Sequence, residues 1–336
     1  MKLFNMDVHI SVIADFKHLF PEFEITEWCM SGHAWVFGKK AISPKYINSS
    51  TWRDLDETMI ANFQREYDSF LRTFDGFICG HPNGFIPIFE KYGKPIIMIN
   101  SCRYDLPFCW SNNNRMLQAY KDCLRRLQTK GLLFPVSNNK ADQEYTRLGC
   151  GIQTMHIPSL CAYTGITYKP TRTTFLGWGS FPPNPLITPK SALGRPYKWS
   201  DISHFKGVIV IPYEISTMSM FEFFSGGMPL FFPSKHMIKD IQSVSAYWGR
   251  HLPNELASFS DKTKWLDLAD FYQVFLSPNV YIYDSFEHLI QLLRTFVWKD
   301  DRDVLERYKR NIRASWCQLL KPMCTSLSAD SVGLIE

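Results

Sequence analysis

The 336-residue sequence has no run of about eighteen apolar residues, the length a helix needs to cross a bilayer. Met1–Phe16 lacks the unbroken apolar stretch of a secretory leader, because Asp7 and His9 interrupt it. Cytoplasmic residence is therefore expected. No Cys-x-x-Cys pair occurs among the nine cysteines, and their irregular spacing argues against both a zinc site and a disulfide framework. Several sit in apolar contexts as small hydrophobes, which suits a reducing compartment. The Asn-x-Ser sequon at Asn48 has no meaning there. Lys and Arg form no dense run, so the net charge of +5 supplies no grip on nucleic acid. Gly-x-Gly-x-x-Gly, Walker, His-Glu-x-x-His and Gly-x-Ser-x-Gly motifs are all missing.

Hydrophobic residues make up 45% of the chain and aromatics 15%, enough for real cores. At roughly 100–200 residues per domain, the length accommodates two. Strand-like and helix-like segments alternate, which predicts α/β units with parallel sheets. In the first half, Val8–Ile13 reads as a strand and Ala14–Phe20 as a short helix. Strands follow at Glu24–Cys29, Gly76–Cys79, Pro95–Asn100, Leu132–Val136 and Met155–Ile157. Helices are expected at Asp54–Phe74, Phe85–Tyr92, Asn114–Lys130 and Lys140–Leu148, the last capped by Asn139. The Thr-, Gly- and Pro-rich stretch Cys161–Pro189 places the junction near Gly165. In the second half, strands are expected at Thr173–Leu176, Gly207–Ile211, Pro229–Phe232 and Val280–Tyr283. Ser285 caps a helix from Phe286 to Val297. A basic amphipathic helix runs from Asp300 or Asp301 to about Leu320, its apolar set being Leu305, Tyr308, Ile312, Trp316 and Leu319. Docking on the protein is its expected role, and peripheral contact with an anionic membrane the alternative.

The most informative stretch is Ile211–Pro233, which reads as strand end, polar loop, helix, Gly-Gly stop and strand. Free N–H groups and the positive end of the dipole at a helix N-terminus favour a phosphate. Ser216, Thr217 and Ser219 add hydroxyls, and Met218 lies among them. Glu214 falls at the C-terminal edge of a strand, where open α/β sheets bind ligands. Glu222 lies one turn into the helix, placed to accept from a ribose diol. Solvated glutamates on an ordinary βαβ turn are the plain alternative.

This arrangement resembles the donor site of glycosyltransferases of the GT-B fold. Their sugar-nucleotide loop carries two glutamates separated by seven residues and followed by Gly-x-Pro. Glu214, Glu222 and Gly227-Met228-Pro229 match that pattern. The resemblance covers the architecture loosely and these residues specifically. It implies two Rossmann-like domains facing a cleft, with residues 1–164 binding the acceptor and 165–300 the nucleotide-sugar. It implies that residues 301–336 form a helix and tail packing back on the first domain.

By the same resemblance, Glu214 touches the sugar hydroxyls, Glu222 the ribose, and the amides of Ser216–Ser219 the phosphate. Arg195 and Lys198 are the candidate cations for the leaving diphosphate, although their spacing from the strand departs from the family's. Gly179, in Gly177-Trp178-Gly179-Ser180, allows close backbone approach to the donor. On the acceptor side, His9, Asp15, Ser31-Gly32-His33, His81 and Arg103-Tyr104-Asp105 fall near expected strand ends. Asp15 and His33 are the candidate bases.

The implied activity is transfer of a sugar from a UDP- or GDP-sugar to a glycan or other hydroxyl acceptor, as in glycan biosynthesis. No metal or cofactor is expected, since Asp300-Asp301-Arg302-Asp303 reads as a helix start. Glutamate spacing leans towards retention of configuration. An epimerase acting on a nucleotide-sugar, or a non-catalytic carbohydrate- or partner-binding protein with its surface at Tyr247–Tyr272, are the rival readings.

Overall fold

A computed structural model describes residues 1–194, 197–240, 257, 266–273 and 276–332. Arg195 lies outside the described residues, as does most of the aromatic segment from Tyr247 to Trp265. The chain is α/β, as expected, and divides into two compact units. One is Met1–Pro158 together with Asn311–Glu336, and the other is Ser159–Arg310.

The first unit holds a six-stranded sheet. Its strands are β1 (Lys2–Asp7), β2 (Glu24–Cys29), β3 (Gly76–Cys79), β4 (Ile96–Asn100), β5 (Leu133–Ser137) and β6 (Met155–His156). They run in the order β2-β1-β3-β4-β5-β6, and every pairing is parallel. All residues of β3, β4 and β5 are buried, as strands covered on both faces must be. Phe4 and Phe77 fill one side of the sheet, packing on Phe89, with Phe70 and Phe74 also against Phe4.

The second unit holds β7 (Phe175–Trp178), β8 (Ile187–Pro189), β9 (Val208–Val210), β10 (Leu230–Pro233) and β11 (Val280–Tyr283). Their order is β11-β10-β9-β7-β8, again all parallel. Counted within each unit, the sheets read 2-1-3-4-5-6 and 2-1-3-4-5. The chain therefore reverses direction of travel between β1 and β3 in the first unit and between β7 and β9 in the second. Beyond the carboxyl ends of the strands at such a reversal, open α/β sheets bind their ligands.

Asn139 caps Lys140–Cys150 through the Asp142 amide, and Ser285 caps Phe286–Thr295 through the His288 amide. Three elements depart from expectation. The first strand is Lys2–Asp7, and Val8–Ile13 is instead a turn entering the helix Ile10–Leu19. The strand escapes a hydrophobic reading because it buries two polar residues. Asn5 donates to the Ile78 carbonyl at 3.1 Å, and Asp7 accepts backbone N–H groups. The second departure is β8, a three-residue edge strand ending in proline, too short for periodicity to reveal.

The third is the last helix, which runs Arg302–Val332, well beyond Leu320. Leu305, Ile312, Trp316, Leu320 and Met323 are its buried residues. Trp316 packs edge-on against Phe16 and Phe20 of the first unit, at 5.2 and 6.2 Å. That face is thus occupied by protein, which leaves these residues unavailable to a bilayer. Among the described residues, no helix is long and apolar enough to cross a membrane. All nine cysteines are free.

Candidate functional site

In the second unit, β9 delivers the loop Ile211–Thr217 to the reversal point, and the helix Met218–Ser225 follows. Thr217 is its N-cap, with extended backbone (φ −141°, ψ 136°), and no side chain caps this helix. The Thr217 and Ser219 hydroxyls lie 3.3 Å apart. Ser216, Met218, Ser219 and Glu214 are half-buried, while Ile215 is buried and its carbonyl accepts from the Asp270 amide. An uncapped N-terminus with two hydroxyls is chemically suited to an anion.

Glu222 sits on this helix with only 4% of its surface exposed. Its Oε1 accepts a hydrogen bond from the Tyr163 hydroxyl at 2.5 Å. Tyr163 lies on the turn Ala162–Thr164, where Cys161 adopts a left-handed backbone (φ +54°). The expected ribose contact is thus tied to a phenol that sequence reasoning missed. A separation of 59 positions hides the pairing from any local pattern.

Gly179 follows β7 directly and has φ +154°. A Cβ there would stand 2.9 Å from Ile211 Cβ, so only glycine lets the ends of β7 and β9 close together. The Ile211 amide bonds to the Trp178 carbonyl across that closure, at 3.1 Å. The Lys190 ammonium stands 3.3 Å from the centre of the Trp178 ring, and Phe223 packs edge-on to the same ring at 5.0 Å. Lys198 is exposed at the start of a short helix, where its own backbone amide donates to Asp201. Lys190 is therefore the cation the structure puts beside the β7 end, and sequence reasoning passed over it.

In the first unit, β1 and β3 end side by side at the other reversal point. Asp7 closes β1 and is wholly buried. Its Oδ1 accepts from the backbone amides of His9 at 2.9 Å and His81 at 3.1 Å. The Val8 amide in turn donates to the His81 carbonyl at 2.7 Å. The His9 and His81 rings meet edge to face at 6.1 Å, and Trp52 stands 6.2 Å beyond His81.

Burial raises the Asp7 carboxyl from 3.8 to about 8, against the pull of its amide partners and the Asn5 side chain. The surrounding protein pulls His81 down to about 3, with a lesser push from His9. His9, an exposed residue, is drawn down as well by the same desolvation and by His33. Both imidazoles are thus neutral at physiological pH.

The expected bases fall differently. His33 is exposed just past β2, its amide held by the Ser31 hydroxyl at 3.1 Å, and it is close enough to act on the charge of His9. Asp15 does not lie at a strand end: it is on the helix Ile10–Leu19 and only 6% exposed. Its misplacement follows from reading the first strand six residues late. Arg103-Tyr104-Asp105 forms a closed network instead of an open edge. The Arg103 guanidinium forks onto Asp105, which also receives the Tyr145 hydroxyl at 2.6 Å. Among the described residues, no group of three or more His, Cys, Asp or Glu side chains is arranged to hold a metal ion.

No protein-family model matches the chain, and no curated protein matches its sequence. Among solved structures it is similar to the spinosyn forosaminyltransferase SpnP, with 10% identity over 98% of this chain and 99% of that one, and a TM-score of 0.44. It is similar to the glycosyltransferase SnogD from Streptomyces nogalater, with 10% identity over 95% of both chains and a TM-score of 0.41. A third similar structure is UGT2 of Phytolacca americana complexed with UDP-2fluoro-glucose and pterostilbene, with 11% identity over 97% and 99% and a TM-score of 0.39.

Proposed function

We propose that this chain is a glycosyltransferase that moves a sugar from a UDP- or GDP-sugar to a glycan or other hydroxyl acceptor. The observation that carries the reading is the uncapped, hydroxyl-lined N-terminus of Met218–Ser225 at the β7/β9 reversal point, with Gly179 opening the backbone beside it. Residues of Ser159–Arg310 hold the donor. The amides of Thr217, Met218 and Ser219 and the hydroxyls of Ser216, Thr217 and Ser219 receive the diphosphate. Glu222, tied to Tyr163, accepts from the ribose, and Glu214 contacts the sugar.

The reaction joins the acceptor oxygen to the anomeric carbon, breaks the bond to the diphosphate, and moves the acceptor's proton to a base. Lys190, with Lys198 the alternative, neutralises the departing diphosphate, so the reading needs no metal. Met1–Pro158 holds the acceptor, and the neutral imidazoles of His9 and His81 and the exposed His33 are its proton acceptors.

Glutamate spacing supports retention. An inverted product would move the weight to the histidines as bases. A thermal-shift panel of UDP-, GDP-, CMP- and dTDP-sugars tests the donor site, because a ligand that binds only the folded state stabilises it. The reading fails if no sugar nucleotide shifts the transition. Incubation with the bound nucleotide-sugar and no acceptor separates a transferase from an epimerase, which converts its substrate alone.

A further inference from the structure

Asp7 is the one carboxyl at the β1/β3 reversal point that the proposed reaction leaves unused, and its surroundings are specific. One oxygen, Oδ1, receives amides from both histidine-bearing loops, 74 positions apart in sequence for His81. The other, Oδ2, is buried and has no hydrogen-bond partner. Gly80 leaves room for it: a Cβ at that position would stand 2.4 Å from Oδ2 and 2.9 Å from Val12. The remaining neighbours offer no cation. Asn5 spends its amide on the Ile78 carbonyl, and Cys29 and Cys79 are thiols that burial pushes up, to about 11 for Cys29 and well above the usual range for Cys79. Beyond these thiols stand His9 and His81, with His33 acting on His9 and Glu27 and Lys39 acting on Cys29.

We infer that Asp7 is the positioning residue of this edge: its carboxyl pins the His9 loop to the His81 loop, so that the two imidazoles keep their spacing. Its value for an acceptor rests on the proposed function, while the pinning itself does not. An uncharged carboxyl suits the place. Oδ2, carrying a proton, is a buried hydroxyl, whereas ionisation would leave a buried charge with no cation to meet it. The protonated form thus holds up to about pH 8. Above that, the new charge raises the basicity of both imidazoles and tightens the two amide hydrogen bonds to Oδ1.

The test uses the full chain with carbon-labelled aspartate and nitrogen-labelled histidine, read by NMR from pH 5 to pH 10. His9→Gln and His81→Gln assign the imidazole signals. The expected result is an Asp7 carboxyl transition near pH 8, with a matching displacement of the His9 and His81 ring signals at the same pH. Asp7→Asn keeps the accepting oxygen and cannot ionise, so its His9 and His81 signals stay near their wild-type positions and lose the transition. The inference is overturned by imidazole signals that show no step with Asp7. It is overturned equally by a step that survives Asp7→Asn. Should that variant fold poorly, the wild-type carboxyl and ring titrations decide alone. A nucleotide-sugar panel that fails while these titrations succeed would remove the glycosyl-transfer reading and leave the pinning intact.

Discussion

Arg103 and Asp105 form a forked ion pair, Nε to Oδ1 at 3.0 Å and Nη2 to Oδ2 at 2.8 Å, with side chains 1% and 0% exposed. Arg103 makes it from a left-handed backbone (φ +30°), with its own amide donating to Asp142 at 2.8 Å. Removing one partner leaves a buried charge uncompensated. Asp105→Ala should cost about 3–5 kcal/mol of stability, and Tyr145→Phe, which deletes one hydrogen bond, about 1–2 kcal/mol. Urea denaturation of both variants beside wild type checks the order. Equal losses would mean that the charge pair is not what the network depends on.

Glu222 and Tyr163 should behave as a pair in binding. Glu222→Gln keeps the side chain's size and removes the acceptor charge, so nucleotide-sugar affinity should fall about tenfold, or about 1.4 kcal/mol. Tyr163→Phe frees one oxygen of a carboxylate that the phenol otherwise occupies, and should change the same affinity by a smaller factor. Calorimetric titration of both variants with the best donor measures this. Unchanged affinity in Glu222→Gln would remove the ribose role.

Lys190 and Lys198 make separable predictions. Lys190 is held over Trp178 beside the β7 end, whereas Lys198 is exposed on a short helix. If Lys190 stabilises the leaving diphosphate, Lys190→Met should lower kcat about a hundredfold while Lys198→Met stays within about threefold of wild type. The opposite ranking would return the role to Lys198.

Stability should depend on pH through Asp7 with an unusual sign. Its folded pKa, about 8, lies above the ordinary 3.8, so between those values the unfolded chain has lost a proton that the folded chain keeps. This group therefore costs stability as pH rises from about 4 to about 8, and the cost is constant above. His9 and His81 act oppositely. Their folded values lie below 6.5, so they cost stability as pH falls below 6.5, for His81 down to about 3. Subtracting Asp7→Asn from wild type isolates the carboxyl. The gain from the variant should be larger at pH 8 than at pH 5 in chemical denaturation, and a flat difference would refute the shift.

Much of the scaffold is legible in the sequence because parallel strands buried on both faces are continuous apolar runs. β3 and β11 fall where hydrophobicity places them, and Asn139 and Ser285 announce their helices by side-chain chemistry. β1 is hidden by the same feature that makes it interesting, since Asn5 and Asp7 break its apolar pattern while lying at full burial. Asp15 was attractive only because that strand was read late. At the β7/β9 reversal point the loop and both glutamates are visible in the sequence, but Tyr163 and Lys190 become relevant only once the strand order brings distant segments together. Reversal points are properties of strand order, which periodicity does not encode.

The return of Asn311–Glu336 to the unit begun by Met1 has a consequence for synthesis. The ribosome delivers Ser159–Arg310 before Trp316, which seats against Phe16 and Phe20, has been made. Residues 1–158 are thus completed only after the second unit has been made, and those two rings await their partner until then. A fragment ending at residue 310 should therefore carry a protease-resistant second unit and a first unit still open at its Phe16 face.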